Sequence, residues 1–171
     1  MNDDLDFIED NELRKTLEDS IEYIYTLYEQ LKVGNQRKLY QEETFRVIIL
    51  YVVSAIEAIL LYFYKTRGDK ILNCEYKFVH TLPKGYKHEN KNGAPLIIAV
   101  QNMRERSDKE LGIYELVNFF KAKGIMRTET VESILDMNDI RNTFHFAKSR
   151  AKHCDLNRVE KALKLLVYII I

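Results

Sequence analysis

Arg141 and His145 are the residues in this chain whose types and spacing could do chemistry together. They stand four apart in the stretch ILDMNDIRNTFHFAKSRAK (134–152), with Asn142 between them. On a helix of 3.6 residues per turn, positions four apart share a face. The spacing therefore predicts one stripe carrying Asn138, Arg141, His145 and Lys148. A guanidinium that stays charged beside an imidazole that titrates near neutral pH suits phosphodiester chemistry. RNA cleavage needs the 2′-hydroxyl deprotonated, the leaving 5′-oxygen protonated and the charge on the phosphorane balanced. His145 fits the proton carrier. Arg141 fits a contact to the non-bridging oxygens. Asn142 fits a residue that orients the phosphate or the imidazole. The same spacing is common on solvated helix faces, so alone it is a weak signal.

The elements that must position this stripe are helical. From about Glu12 to Leu31, apolar residues recur at Leu13, Leu17, Ile21, Ile24, Leu27, Tyr28 and Leu31, which predicts a first helix ended by Gly34 and Asn35. A second helix is expected from about Arg37 to Thr66, ended by Gly68. Its middle is apolar on nearly every side, as in an element surrounded by neighbours. Glu57 is the odd residue there and reads as a paired or partly exposed carboxylate at the core edge. Residues 1–6 are acidic and read as frayed. Residues 71–82 read as a strand or irregular segment, 83–95 as a polar loop, and 96–103 as a short helix or strand. Ser107 with Glu110 fits a capping box that opens a helix with the stripe Leu111, Tyr114, Val117 and Phe120, closed by Gly124. Thr128 opens the next helix, with Val131, Leu135, Met137, Ile140, Phe144 and Ala147 facing the core. Asp155 caps a last helix, Leu156 to Ile170, with Val159, Leu163, Leu166, Val167 and Ile170 inward. There is no internal repeat and no low-complexity segment.

The 171 residues suit one domain with a real core, here residues 1–171. Lysine plus arginine (26) balances aspartate plus glutamate (26), so bulk charge selects no partner. Its distribution is uneven. Residues 1–30 carry ten acids against two bases, and residues 141–164 carry seven bases against two acids. The basic end reads as a phosphate-attracting surface or as a solvated helix face. Cys74 and Cys154 read as reduced thiols of a cytoplasmic protein, with no secretory signal at the acidic start. The run VIILYVVSAIEAILLYFY (47–64) is barely long enough to span a bilayer and carries Glu57 near its middle, so it reads as a core helix. His80, His88, His153 and Cys154 match no common metal-ligand spacing, so no metal and no cofactor is expected. No Gly-rich phosphate loop, nucleophile elbow or paired-carboxylate motif is present.

The segment LGIYELVNFFKAKGIMRTETVESILDMNDIRNTFHFA (111–147) resembles the C-terminal half of HEPN-type domains. There a capped helix, a glycine-containing turn and a second helix lead into an Arg-polar motif that ends in His. The apolar helix that follows and the Ala-Ile-Glu-Ala segment at 55–58 are similar to that pattern as well. The likeness covers residues 107–171 well, the first two helices loosely and 68–106 hardly at all. It implies an all-α, HEPN-like bundle of about five helices, with a small irregular or strand insertion allowed near 70–100. It also implies a homodimer, with two Arg/His sets meeting at one cleft, and a metal-independent endoribonuclease of a defence or toxin–antitoxin system. Its partners would then be RNA and a cognate antitoxin, and no membrane. Arg141, Asn142 and His145 match the motif positions, and Lys148, Arg150 and Lys152 would hold RNA. Three residues separate Arg141 from His145, where the usual motif has four to six. The alternative expectation is an inactive HEPN-like module that binds nucleic acid or nucleotide, or docks a partner.

Overall fold

Ten residues of one helix are buried by its neighbours, among them Ile48, Ile49, Val52, Val53, Ile56 and Ile59, and the remaining helices are arranged around it. The structure, a computed structural model, describes residues 4–33, 37–82, 96–143 and 154–171. Among these, five α-helices and two strands run in the order α1 (Asn11–Lys32), α2 (Lys38–Arg67), β1 (Leu72–Thr81), β2 (Ile97–Glu105), α3 (Ile113–Ala122), α4 (Thr128–Asn142) and α5 (Leu156–Ile170). The fold is mostly helical, with one small antiparallel sheet. The chain divides into two compact units, one of residues 1–68 and 111–171 and one of residues 69–110.

In the helical unit α2 packs against α1, α3, α4 and α5. Its apolar residues form two adjacent stripes, Ile48/Val52/Ala55/Ile59 and Ile49/Val53/Ile56/Leu60, so more than one face needs cover. By length and hydropathy α2 is also the one described helix that could cross a bilayer. Gly68 ends it in the left-handed conformation (φ 66°), which a glycine reaches without a Cβ clash. The leading segment is not frayed from Asp4 on: Leu5 and Ile8 are buried, Phe7 stacks on Phe63, and the Tyr62 hydroxyl donates to the Phe7 carbonyl. Leu5, Phe7 and Ile8 turn inward while Asp4, Asp6, Glu9 and Asp10 stay exposed, so the segment gains apolar burial without desolvating its acids.

Several boundaries differ from the sequence expectation. The Ser107 N–H donates to the Glu110 carboxylate as anticipated, but the Ser107 hydroxyl also donates to that carboxylate and the Glu110 N–H bonds to the Ser107 carbonyl, so half of the capping box forms and it closes only a single 3₁₀ turn. The helix itself starts at Ile113, with the Gly112 N–H donating to the Glu115 carboxylate. That shift of start moves the buried stripe to Ile113, Leu116, Val117 and Phe120 and leaves Tyr114 in solvent. On α5 the buried residues are Val159, Ala162 and Leu166, and Val167 is exposed. Helix α5 starts at the expected cap, with the Asp155 carboxylate accepting from the Arg158 N–H. Gly34 and Asn35 and the loop at 83–95 lie outside the described residues.

The second unit is a two-stranded ribbon, β1 paired with β2, with an irregularity between Phe78 and His80. Alternation puts Leu72, Cys74, Tyr76 and Phe78 on one side and Asn73, Glu75 and Lys77 on the other. Arg104 grips the ribbon's end. It donates two hydrogen bonds to Glu110 and one to Glu75, and that guanidinium holds the Glu110 carboxyl well below the usual carboxylate range.

Burial separates the two units in mutational cost. Ile56→Ala should lower unfolding stability by about 2–5 kcal/mol, because it opens a cavity in a fully buried site. Phe78→Ser, on the exposed ribbon, should change it by roughly 0.5 kcal/mol or less. Urea titrations of both variants followed by circular dichroism measure the contrast.

Candidate functional site

The end of α4 is where cationic side chains gather. Arg141 and Asn142 occupy its last turn, and Thr143 closes it. The Thr143 N–H and hydroxyl both bond to the Ile140 carbonyl, at 3.0 and 2.7 Å, which tightens the final turn and uses up that carbonyl. As described, α4 runs to Asn142, and Phe144 and Ala147, expected to face the core, lie outside the described residues. His145, Lys148, Arg150, Lys152 and His153 lie outside the described residues.

Arg141 reaches across to α2. Its Nη1 donates to Glu57 Oε2 at 2.5 Å, and the two side chains are 23% and 27% exposed. Glu57, read from sequence as an edge carboxylate, is therefore the residue that orients the motif arginine. Its other oxygen lies 3.8 Å from where a Cβ on Gly112 would stand, at the start of α3. One carboxylate thus lies between the positive N-terminal end of α3 and the arginine at the negative C-terminal end of α4, a favourable order for both helix dipoles. A guanidinium has five N–H donors, and Glu57 engages one of those of Arg141 among the described residues.

Arg46 is the second cation at this end, and the sequence reading passed over it. It is buried (8% exposed), and its Nη1 donates to Thr143 Oγ1 at 2.7 Å. Only a helix packed against the end of α4 brings a residue 97 positions away to that hydroxyl. Cys154 is buried nearby. Burial pushes its thiol up to about 11, while the charges of Arg46 and Arg158 pull the other way. Asn138, one turn before Asn142, has its Oδ1 buried with no hydrogen-bond partner among the described residues. Leaving such an acceptor dry costs about 1–3 kcal/mol.

Other expectations resolve differently. Lys161 and Lys164 line a shallow groove with Glu129, Glu132 and Asp136 of α4, so their charge is offset locally. Among the described residues no group of three His, Cys, Asp or Glu side chains is gathered closely enough to hold a metal ion. His80 lies on the ribbon. Comparison of the chain with protein-family models, with curated proteins and with solved structures finds no match.

Two measurements test this geometry. In a double-mutant cycle of Glu57→Ala and Arg141→Ala, the coupling should be on the order of 1–2 kcal/mol, between the values for exposed and fully buried pairs. A coupling near zero would mean the two side chains do not meet in solution. For Cys154, the folded thiol ionises above the unfolded one, whose reference value is 9.0. The neutral thiol's contribution is complete below pH 9 and is lost as pH rises from about 9 to about 11. Stability of the wild type should fall more steeply across that window than stability of Cys154→Ala. At pH 7.5 Cys154 should react with a thiol reagent more slowly than Cys74, which is only partly buried.

Proposed function

We propose that the chain is a HEPN-like, metal-independent endoribonuclease of a defence or toxin–antitoxin system, acting in the cytoplasm as a homodimer. The observation that carries the reading is the Glu57–Arg141 pair, which holds the motif arginine in the last turn of α4 with donors to spare. Arg141 then contacts the non-bridging oxygens of the scissile phosphate. His145 moves the proton, taking it from the 2′-hydroxyl or giving it to the departing 5′-oxygen. In a two-fold dimer one His145 serves as base and its mate as acid. Attack of the 2′-oxygen on phosphorus leaves a 2′,3′-cyclic phosphate on one fragment and a free 5′-hydroxyl on the other. Asn142 orients the phosphate, and Lys148, Arg150 and Lys152 supply charge along the strand.

A second reading is favoured by the same pair. Glu57 neutralises much of the Arg141 charge, and only three residues separate Arg141 from His145. Both facts suit a module that binds RNA, nucleotide or an antitoxin without turning anything over.

Purified protein should cleave single-stranded RNA slowly in the presence of chelator and leave cyclic phosphate ends. His145→Ala should abolish cleavage with helical content unchanged. Arg141→Ala should reduce it by about 10²-fold or more, since a lysine-rich surrounding does not replace a bidentate phosphate contact. Lys148→Ala or Arg150→Ala should weaken binding and flatten its salt dependence. Equal RNA degradation by wild type and His145→Ala would leave the binding module as the surviving reading. A strict monomer in light scattering would remove the shared two-fold site.

A further inference from the structure

The helical unit has an apolar cleft far from the end of α4. Helices α1 and α5 both pack on α2. They approach each other at one end, where the Tyr28 hydroxyl donates to Glu160 at 3.5 Å. Beyond that point a cleft of about 550 Å³ opens between them. Ile24 and Leu166 form its buried floor, and Ile21, Tyr25, Leu163 and Val167 are in its walls. Tyr25 and Val167 are 58% and 53% exposed, so the apolar surface meets water.

The rim of this cleft has one sign of charge. Asp4, Glu18, Asp19 and Glu22 line it, and among the described residues no lysine or arginine does. Acids elsewhere near α1 are neutralised, Asp6 by Arg14 and Glu29 by Lys32. The four rim acids make no ion pair among the described residues. Glu18 and Glu22 stand one helical turn apart along the groove, about 6 Å of rise. A lone ammonium ion would need one such carboxylate. A row at helical spacing matches a second helix carrying cations at the same period. The unit's own basic helix, α5, has Lys161 and Lys164 turned to the acids of α4 in a different groove.

We infer that the α1–α5 cleft is a docking site for an amphipathic helix of a partner protein, with an apolar stripe bordered by lysine or arginine. The stripe fills the cleft between Ile21 and Val167, and the basic border pairs with Glu18, Asp19 and Glu22. The inference stands apart from the RNA chemistry, because it uses none of the same residues.

The probes are helical peptides of about 16 residues, with Leu, Ile or Phe at the stripe positions and either lysine or glutamate on the borders. Titrated against the full chain by fluorescence anisotropy, at least one lysine-bordered peptide should bind saturably with a Kd on the order of micromolar at low salt, at least about tenfold tighter than its glutamate-bordered counterpart. Glu18→Lys with Glu22→Lys should reverse that preference. Val167→Glu, at an exposed position, should lose the lysine-bordered peptide while the circular dichroism spectrum is unchanged. Failure of every lysine-bordered peptide to saturate, or binding indifferent to both variants, would overturn the proposal. So would a dimer in light scattering that Val167→Glu dissociates, since a second copy of the chain would then fill the cleft.

Discussion

The constraint on which the structure depends is the burial of α2. A 30-residue helix with apolar side chains in two adjacent stripes cannot leave either in water. Helices α1, α3, α4 and α5 supply the cover. Helices α1, α3 and α5 are amphipathic and turn one apolar face inward, and α4 contributes Val131, Ile134, Met137 and Ile140. The order of the chain follows from this: α2 comes early, and the three later helices return to it after the ribbon.

Glu57 is the exception that this packing makes useful. A carboxylate in the middle of an apolar helix needs a partner once its neighbours arrive. Arg141 provides it from the far end of the chain, at 23% exposure, where the pair is neither fully dry nor freely hydrated. The same contact fixes a flexible side chain in one place, at the last turn of α4, beside Arg46 and Thr143. Structural need and chemical opportunity therefore coincide at one helix end.

The charges are distributed in a similar way. Bulk neutrality hides three local situations: a cationic helix end, a mixed groove between α4 and α5, and an acidic cleft between α1 and α5. In the first Glu57 and Arg141 pair across helices, and in the second acids of α4 and lysines of α5 line one groove. In the third the carboxylates face an apolar surface with no cation among the residues that line it, which is where a partner's charge would count most.

The sequence alone determined the helices, because periodicity and caps are local. The span of α2, the cap at Asp155 and the glycine stop at Gly68 depend on residues within a turn of each other, and they were legible without any neighbour. The strand-or-helix ambiguity of 96–103 was not, since a short apolar run carries no decisive period; pairing with β1 settled it as β2. The start of α3 was also misplaced, because Ser107–Glu110 is the stronger local cap signal and only the burial of Ile113 and Leu116 moves the start to Gly112. Leu5 and Ile8 were lost among acids, and only the tertiary structure buries them, with Phe7 between them stacked on Phe63. The candidate site divides the same way. Arg141 and Asn142 could be picked out from type and spacing. Glu57, Arg46 and Cys154 could not be joined to that end of the chain, because their contacts span 84 and 97 positions, or follow from burial, and no local pattern encodes a distance of that kind.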